Sequence, residues 1–198
     1  MEDCGARSAR SEMAKRYFRR SGSGRVNVFV YCGWRLLGPN GARMRWRVGI
    51  ISDTHGLLRP EAERRLAGVD HIVHAGDIGR PDIIDALSRI APITAIRGNV
   101  DIGDWAKRYH DTELTRLAGK SIFVLHDLKT LRIDPIALGI DVIISGHSHV
   151  PKIETIRKVL YLNPGSAGRR RFRLPITIAT LDVTPDGLQP TIHHLGDG

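Results

Sequence analysis

Residues 45–56 read RWRVGIISDTHG. Val48, Ile50 and Ile51 form a short apolar, β-branched run that stops abruptly at Ser52-Asp53-Thr54-His55-Gly56. A run of this length that breaks into turn residues is a buried strand ending in a polar turn. Working outward, PEAERRLAG (60–68) opens on Pro-Glu and closes on Gly, which is the punctuation of a helix. HIVHAGD (71–77) is a second strand. RPDIIDALSRI (80–90) sets Ile83, Ile84 and Leu87 on one helical face, and PITAIRGN (92–99) is a third strand. Strand, helix, strand, helix, strand predicts βαβ units and a largely parallel sheet.

The second half has a different rhythm. TELTRLAGKSIFVLHD (112–127) predicts a hairpin turning at Gly119-Lys120. DPIALG (134–139) predicts a short helix and DVIISGH (141–147) a strand. PKIETIRKVLYLNPGS (151–166) predicts a second hairpin. PITIATLDVTPDGLQPTIHHL (175–195) predicts a third, with Pro185-Asp186-Gly187 as its turn.

The polar residues fall where the strands stop. The first strand ends in Asp53-Thr54-His55-Gly56, the second in Gly76-Asp77, the third in Gly98-Asn99-Val100-Asp101. Later strands end in His126-Asp127 and in Gly146-His147-Ser148-His149. In open α/β sheets, sites form beyond the carboxyl ends of strands. Any one of these short motifs is an ordinary turn. Five in succession, each on a strand end, read as a metal site. In extended backbone, residues two apart point the same way, so the His147 and His149 imidazoles are expected side by side on one segment. Mixed imidazole and carboxylate donors suit Mn, Fe, Ni, Co or Zn better than Mg or Ca.

The series DxH, GD, GN, H and GHxH resembles the calcineurin-like metallophosphoesterases, and among them the small single-domain microbial phosphodiesterases. The resemblance covers about residues 46–195. It implies a four-layer α/β/β/α sandwich of two mixed sheets around a binuclear metal centre. Asp53, His55 and His149 would hold one ion; Asn99, His126 and His147 the other; Asp77 would bridge both. Asn99 would also face the substrate. Two divalent transition-metal ions, Mn first with Ni, Fe, Co or Zn as alternatives, would clamp a phosphoryl group and activate a bridging hydroxide for in-line attack. The implied activity is hydrolysis of small phosphodiesters, ahead of phosphomonoesters. The alternative from another class is a metal-binding scaffold of the same fold with little or no catalysis, as in a retromer subunit with a degraded site. Seven intact ligand positions favour the enzyme.

One departure matters. Many relatives carry Gly-Asn-His-Glu after the third strand, where the His is thought to protonate the leaving group. This chain has Gly98-Asn99-Val100-Asp101. Val100 cannot donate a proton. Asp101 remains, as a proton-transfer group or as a residue that positions its neighbours. His74 reads as a packed histidine, with an acid role as the alternative. Asn163-Pro164-Gly165-Ser166 reads equally as a plain turn or as part of the site. Arg169-Arg170-Arg171 reads first as a solvated run, and Asp127 as a residue that narrows the pocket or supports a ligand.

Composition bounds the rest. The 198 residues suffice for one domain with a sizeable core. The net charge of +9 is uneven, because the first 44 residues hold nine of the 30 Lys/Arg but only three of the 21 Asp/Glu. The basic character belongs to that leader, so specific nucleic-acid binding is not expected. Both cysteines, Cys4 and Cys32, also lie there, leaving the remainder without a disulfide, in keeping with a cytoplasmic protein. No apolar run approaches the roughly 18 residues that span a bilayer. The strand pattern begins at once after Met44. Residues 1–44 are therefore expected to be disordered or loosely packed, with Met44 as the initiator and 45–198 as the phosphoesterase-like domain. The sequence leaves homo-oligomerisation open.

Overall fold

The computed structural model describes residues 45–171 and 173–196, together with the backbone of 15–16 and 28–30. The rest of the leader, and the expectation made for it, lies outside the described residues. Strands β1 (Lys15–Arg16) and β2 (Val28–Val30) are followed by β3 (Trp46–Ile51), helix α1 (Pro60–Leu66), β4 (His71–Ala75), α2 (Pro81–Ser88) and β5 (Ile93–Ile96). Then come a 3-10 turn at Asp104–Arg108, β6 (Thr112–Leu117), β7 (Lys120–Leu125), a 3-10 turn at Leu128–Thr130 and β8 (Val142–Ile144). Strands β9 (Lys152–Ile156), β10 (Val159–Asn163), β11 (Thr177–Thr184) and β12 (Gly187–His194) complete the chain.

Two mixed sheets result. One has the order β12-β11-β3-β4-β5, with β3, β4 and β5 parallel as the βαβ pattern predicts. The other has the order β1-β2-β6-β7-β8-β10-β9. A core of Val48, Ile50, Val73, Ile96, Ile122, Val124, Val142, Ile144, Leu162 and Leu181 fills the space between them. The outer face of the five-stranded sheet is covered by α1 and α2 through Ala62, Leu66, Ile83, Ile84 and Leu87. Coverage on both faces explains why β4 is buried at every position and why its sequence does not alternate.

The outer face of the seven-stranded sheet carries a smaller cluster, Phe123, Leu125, Ile140, Ile143 and Val159, under Leu131 and Ile133. The fourth layer is therefore thin. Residues 134–139 form a single turn rather than the expected helix, with Leu138 N–H on the Asp134 carbonyl and Ile140 N–H on that of Pro135. Six residues, opened by Asp134-Pro135 and closed by a left-handed Gly139, are too few to offset helix nucleation.

The first hairpin also turns one residue earlier than expected. Leu117 pairs with Lys120, so the loop is Ala118-Gly119, with φ of +48° and +80°. Two positive φ values match the right-handed strand twist, and that requirement overrides the preference for Gly in the first position. The third hairpin turns at Pro185-Asp186; Gly187, expected in the turn, pairs with Thr184 and opens β12.

Candidate metal centre

The strand order brings five strand ends to one side of the sandwich. The segments after β3 and β4 are tied together: Asp53 N–H donates to the Gly76 carbonyl at 3.0 Å, and His55 N–H to that of Asp77 at 3.0 Å. Gly146 N–H donates to the His126 carbonyl at 2.9 Å, joining the ends of β8 and β7. Glycine is needed where these loops meet. A Cβ on Gly98 would overlap Asp77 Oδ1, and one on Gly146 would overlap Ser52 Oγ and lie 2.7 Å from Asp53 Oδ2.

All seven residues expected as ligands lie in this cluster. Nε2 of His55 and Nε2 of His149 face each other at 3.3 Å. Asp53 Oδ1 lies 3.2 Å from His149 Nε2 and 3.9 Å from His55 Nε2. Beside them, Asn99 Oδ1 lies 3.2 Å from His126 Nε2 and 3.0 Å from His147 Nδ1. Asp77 stands between the two sets, Oδ1 at 3.3 Å from His126 Nε2 and Oδ2 at 3.9 Å from His55 Nε2.

His147 and His149 do serve different sets, but not through an extended backbone. Their φ values are +66° and +59°, and Asp53, His55 and Asp77 are left-handed too, at +54°, +47° and +53°. Each such non-glycine residue is held at a cost by its surroundings, and such residues collect at functional sites. The tight turn through Ser148, whose N–H donates to the Gly146 carbonyl at 2.7 Å, separates the two rings.

His126 Nδ1 donates to the Ala75 carbonyl at 2.8 Å, which turns Nε2 toward Asp77 and Asn99. Burial works to lower His126, but its hydrogen bonds to Asp77 and the Ala75 carbonyl outweigh it and raise the ring above its ordinary value. Burial, then the nearby Arg171 guanidinium, holds His55 below its ordinary value despite Asp77 and Asp53. Burial works to raise Asp77, but the hydrogen bonds from His126 and from Val100 N–H outweigh it and keep the carboxyl low. Asp53 Oδ2 accepts from Ser52 Oγ at 2.7 Å and from His147 N–H at 3.1 Å. Its other oxygen, Oδ1, is buried without a hydrogen-bond partner. An orphaned carboxylate oxygen facing two imidazole nitrogens is what a divalent cation would satisfy. The donor set therefore fits a transition metal, with Asp53, His55 and His149 as one candidate group and Asp53, Asp77 and His126 as another.

Asp101 is buried with both oxygens engaged. Oδ2 accepts from the N–H groups of Ile78 at 3.0 Å and Gly98 at 2.8 Å, and Oδ1 from that of Gly79 at 2.7 Å. His74 bridges Thr54 Oγ1 at 3.0 Å and Gly76 N–H at 3.3 Å, and burial lowers it to about 3, so it is a packed neutral ring. Asp127 caps the 3-10 turn through Lys129 N–H, and its Oδ2 lies 3.9 Å from His147 Nε2.

Three supporting residues join the cluster: Asn163 and Ser166, from the stretch that reads equally as a turn or as part of the site, and Ser52, which the sequence does not single out. Asn163 donates Nδ2–H to the Gly146 carbonyl at 2.7 Å and to Ser148 Oγ at 3.1 Å, holding the two-histidine loop. Ser166 donates to the Asp53 carbonyl at 3.0 Å, and Ser52 binds the Asp53 carboxylate as above. Their signal was slight: an NPGS turn at a strand end and a serine before the first aspartate.

The sequence model of the calcineurin-like phosphoesterase superfamily domain matches residues 46–186. The chain belongs to this superfamily. A probable metallophosphoesterase of Methanothermobacter thermautotrophicus is 38% identical over 160 residues, 75% of this chain and 92% of that protein. One of Methanocaldococcus jannaschii is 35% identical over 128 residues, 60% of this chain and 67% of that one. Among solved structures, an archaeal phosphodiesterase aligns with a TM-score of 0.59 at 25% identity, over 74% of this chain and 99% of that chain. A vacuolar protein sorting 29 protein of Cryptosporidium parvum aligns with a TM-score of 0.66, over 78% and 93%, and at 17% identity shares the fold alone. Among the described residues, no helix of this phosphoesterase-family chain is long and apolar enough to cross a membrane.

Proposed function

We propose that this chain is a metal-dependent phosphodiesterase acting on small phosphodiesters at a binuclear centre. The observation that carries the reading is the position of Asp77, whose two oxygens face His126 on one side and His55 on the other. One carboxylate reaching two imidazole-lined sets is the arrangement a bridged pair of ions requires. Such ions, Mn first, supply Lewis-acid clamping of the phosphoryl oxygens and activation of water.

The chain's own residues do the rest. Asp53, His55 and His149 hold one position; Asn99, His126 and His147 hold the other, and the Asn99 amide, exposed at the surface, also reaches the substrate. Asp101 acts as a positioning residue, since three backbone N–H groups occupy its oxygens and leave none to carry a proton. With Val100 beside Asn99, no side chain there protonates the leaving oxygen. Diesters with good leaving groups are accordingly the best substrates. The scaffold alternative draws support from the vacuolar protein sorting 29 neighbours, and it predicts metal binding without turnover.

The test is hydrolysis of bis-p-nitrophenyl phosphate by metal-stripped protein with Mn added back, beside Asp77→Asn. Metal-dependent turnover that collapses in the variant is expected. Folded, metal-loaded protein without turnover under Mn, Ni, Co or Zn would overturn the diesterase and leave the scaffold.

A further inference from the structure

A second cavity lies away from the metal centre, along the free edge of β5, the last strand of the five-stranded sheet. Its volume is about 290 Å³, at the small end of ligand sites. Ile84 of α2, Ile93 and Ala95 of β5, and Tyr109 give it apolar walls.

Five polar side chains, Thr94, Arg108, His110, Glu113 and Thr115, break this lining, and the last two carry unsatisfied atoms. Glu113 and Thr115 are alternate residues of β6, so they share one face of the strand and point into the sandwich with Leu117. Both line the cavity, and both are almost fully buried, at 6% and 2% exposure. Glu113 Oε1 and Thr115 Oγ1 have no hydrogen-bond partner. Buried polar atoms are nearly always satisfied, and a carboxyl left bare in an apolar wall is costly. Burial pushes Glu113 up to about 7, and although Arg108 and His110 line the same cavity, Glu113 Oε1 accepts no hydrogen bond. The phosphoesterase site makes no use of either residue.

We propose that this cavity is a second binding site, taking a compact planar ligand that presents two adjacent N–H donors, an amidine-type edge, to Glu113, with Thr115 completing the polar end. The complement follows from the two unsatisfied atoms, Glu113 Oε1 and Thr115 Oγ1. The unsatisfied set is rich in acceptors, and a carboxylate pairs best with two parallel donors. The apolar walls take the ring that carries them. Such an edge occurs on a charged amidinium and on the neutral guanine base.

The test uses the full chain and two phosphate-free probes, benzamidine and guanosine, read by thermal shift and by calorimetric titration. At least one probe is expected to bind with one-to-one stoichiometry and to raise the melting temperature. Its affinity is expected to be the same with and without EDTA. Benzamidine alone identifies a cationic ligand; guanosine binding identifies the neutral heterocycle. Glu113→Gln keeps the shape but replaces a paired acceptor by a donor, and should weaken binding about tenfold or more. Thr115→Val should weaken it by a smaller factor, and carries the test should the Gln variant not fold. Absence of binding by both probes, or binding that both folded variants retain in full, would overturn the proposal.

Discussion

Gly98→Ala tests the claim that clearance between loops builds the metal centre. An added Cβ would overlap Asp77 Oδ1 and the Asp77 backbone nitrogen, and would lie 2.8 Å from Asp77 Cγ. Rotating the carboxylate relieves only part of this, because the backbone nitrogen does not rotate away. Neither segment is free to recede. Gly98 N–H is bound to Asp101 Oδ2 at 2.8 Å, and the Asp77 carbonyl accepts from His55 N–H at 3.0 Å. Separation to ordinary contact needs a shift on the order of 1 Å, which as overpacking costs about 1–3 kcal/mol. For a domain of this size that lowers Tm by roughly 3–10 °C. Because Asp77 faces both ligand sets, metal affinity should also fall, by roughly 10–100-fold. The assay is denaturant unfolding of chelator-treated protein together with Mn titration. Gly68→Ala is the control: its φ of +79° carries the left-handed backbone cost, but no atom lies within 4 Å of the added methyl. Gly98→Ala with native stability and metal affinity, or Gly68→Ala with the same loss of affinity, would refute the reasoning.

Asn163→Ala removes both hydrogen bonds that hold the His147–His149 loop, so Mn affinity should drop roughly tenfold with a stability loss of about 1–2 kcal/mol, measured by titration and urea unfolding. The β9–β10 hairpin turns on Arg157-Lys158, at φ +50° and +71°; replacing the pair by Asn-Gly should stabilise the fold by about 1 kcal/mol with no change in metal binding. Burial lowers His71 to about 4 from its ordinary 6.5. The unfolded chain therefore binds the proton first, and stability should be full above about pH 6.5 and fall by up to about 3 kcal/mol as pH drops toward 4. His71→Gln should flatten that part of the stability profile; an unchanged slope would assign the acid loss to other groups.

Much of this protein was legible in its letters because the relevant physics is local. The β-branched runs before Asp53, Asp77 and Asn99, and the Pro-initiated helices between them, state the parallel βαβ half through periodicity and punctuation alone. The hairpins follow from their turns, although Ala118 shows that strand twist can place a turn on an unexpected residue. The helix expected at 134–139 failed because its apolar residues read as helical, whereas its length and its closing Gly139 permit only one turn.

The sequence by itself determined which residues could be ligands and that each stands at the end of a strand. The tertiary structure alone decided how they divide. Asp53 and His147 are 94 positions apart, yet the His147 N–H saturates one oxygen of Asp53 while the other is left bare. Left-handed backbone at five of the seven proposed ligand positions turns each ring or carboxylate toward its set, and no periodicity in the chain encodes that. The same holds for Glu113, which the sequence places only in a hairpin strand and which lies buried because β6 turns that face into the sandwich. Local pattern fixes what a segment is; which groups meet across the sheets depends on strand order and loop contacts, and those exist only once the chain has folded.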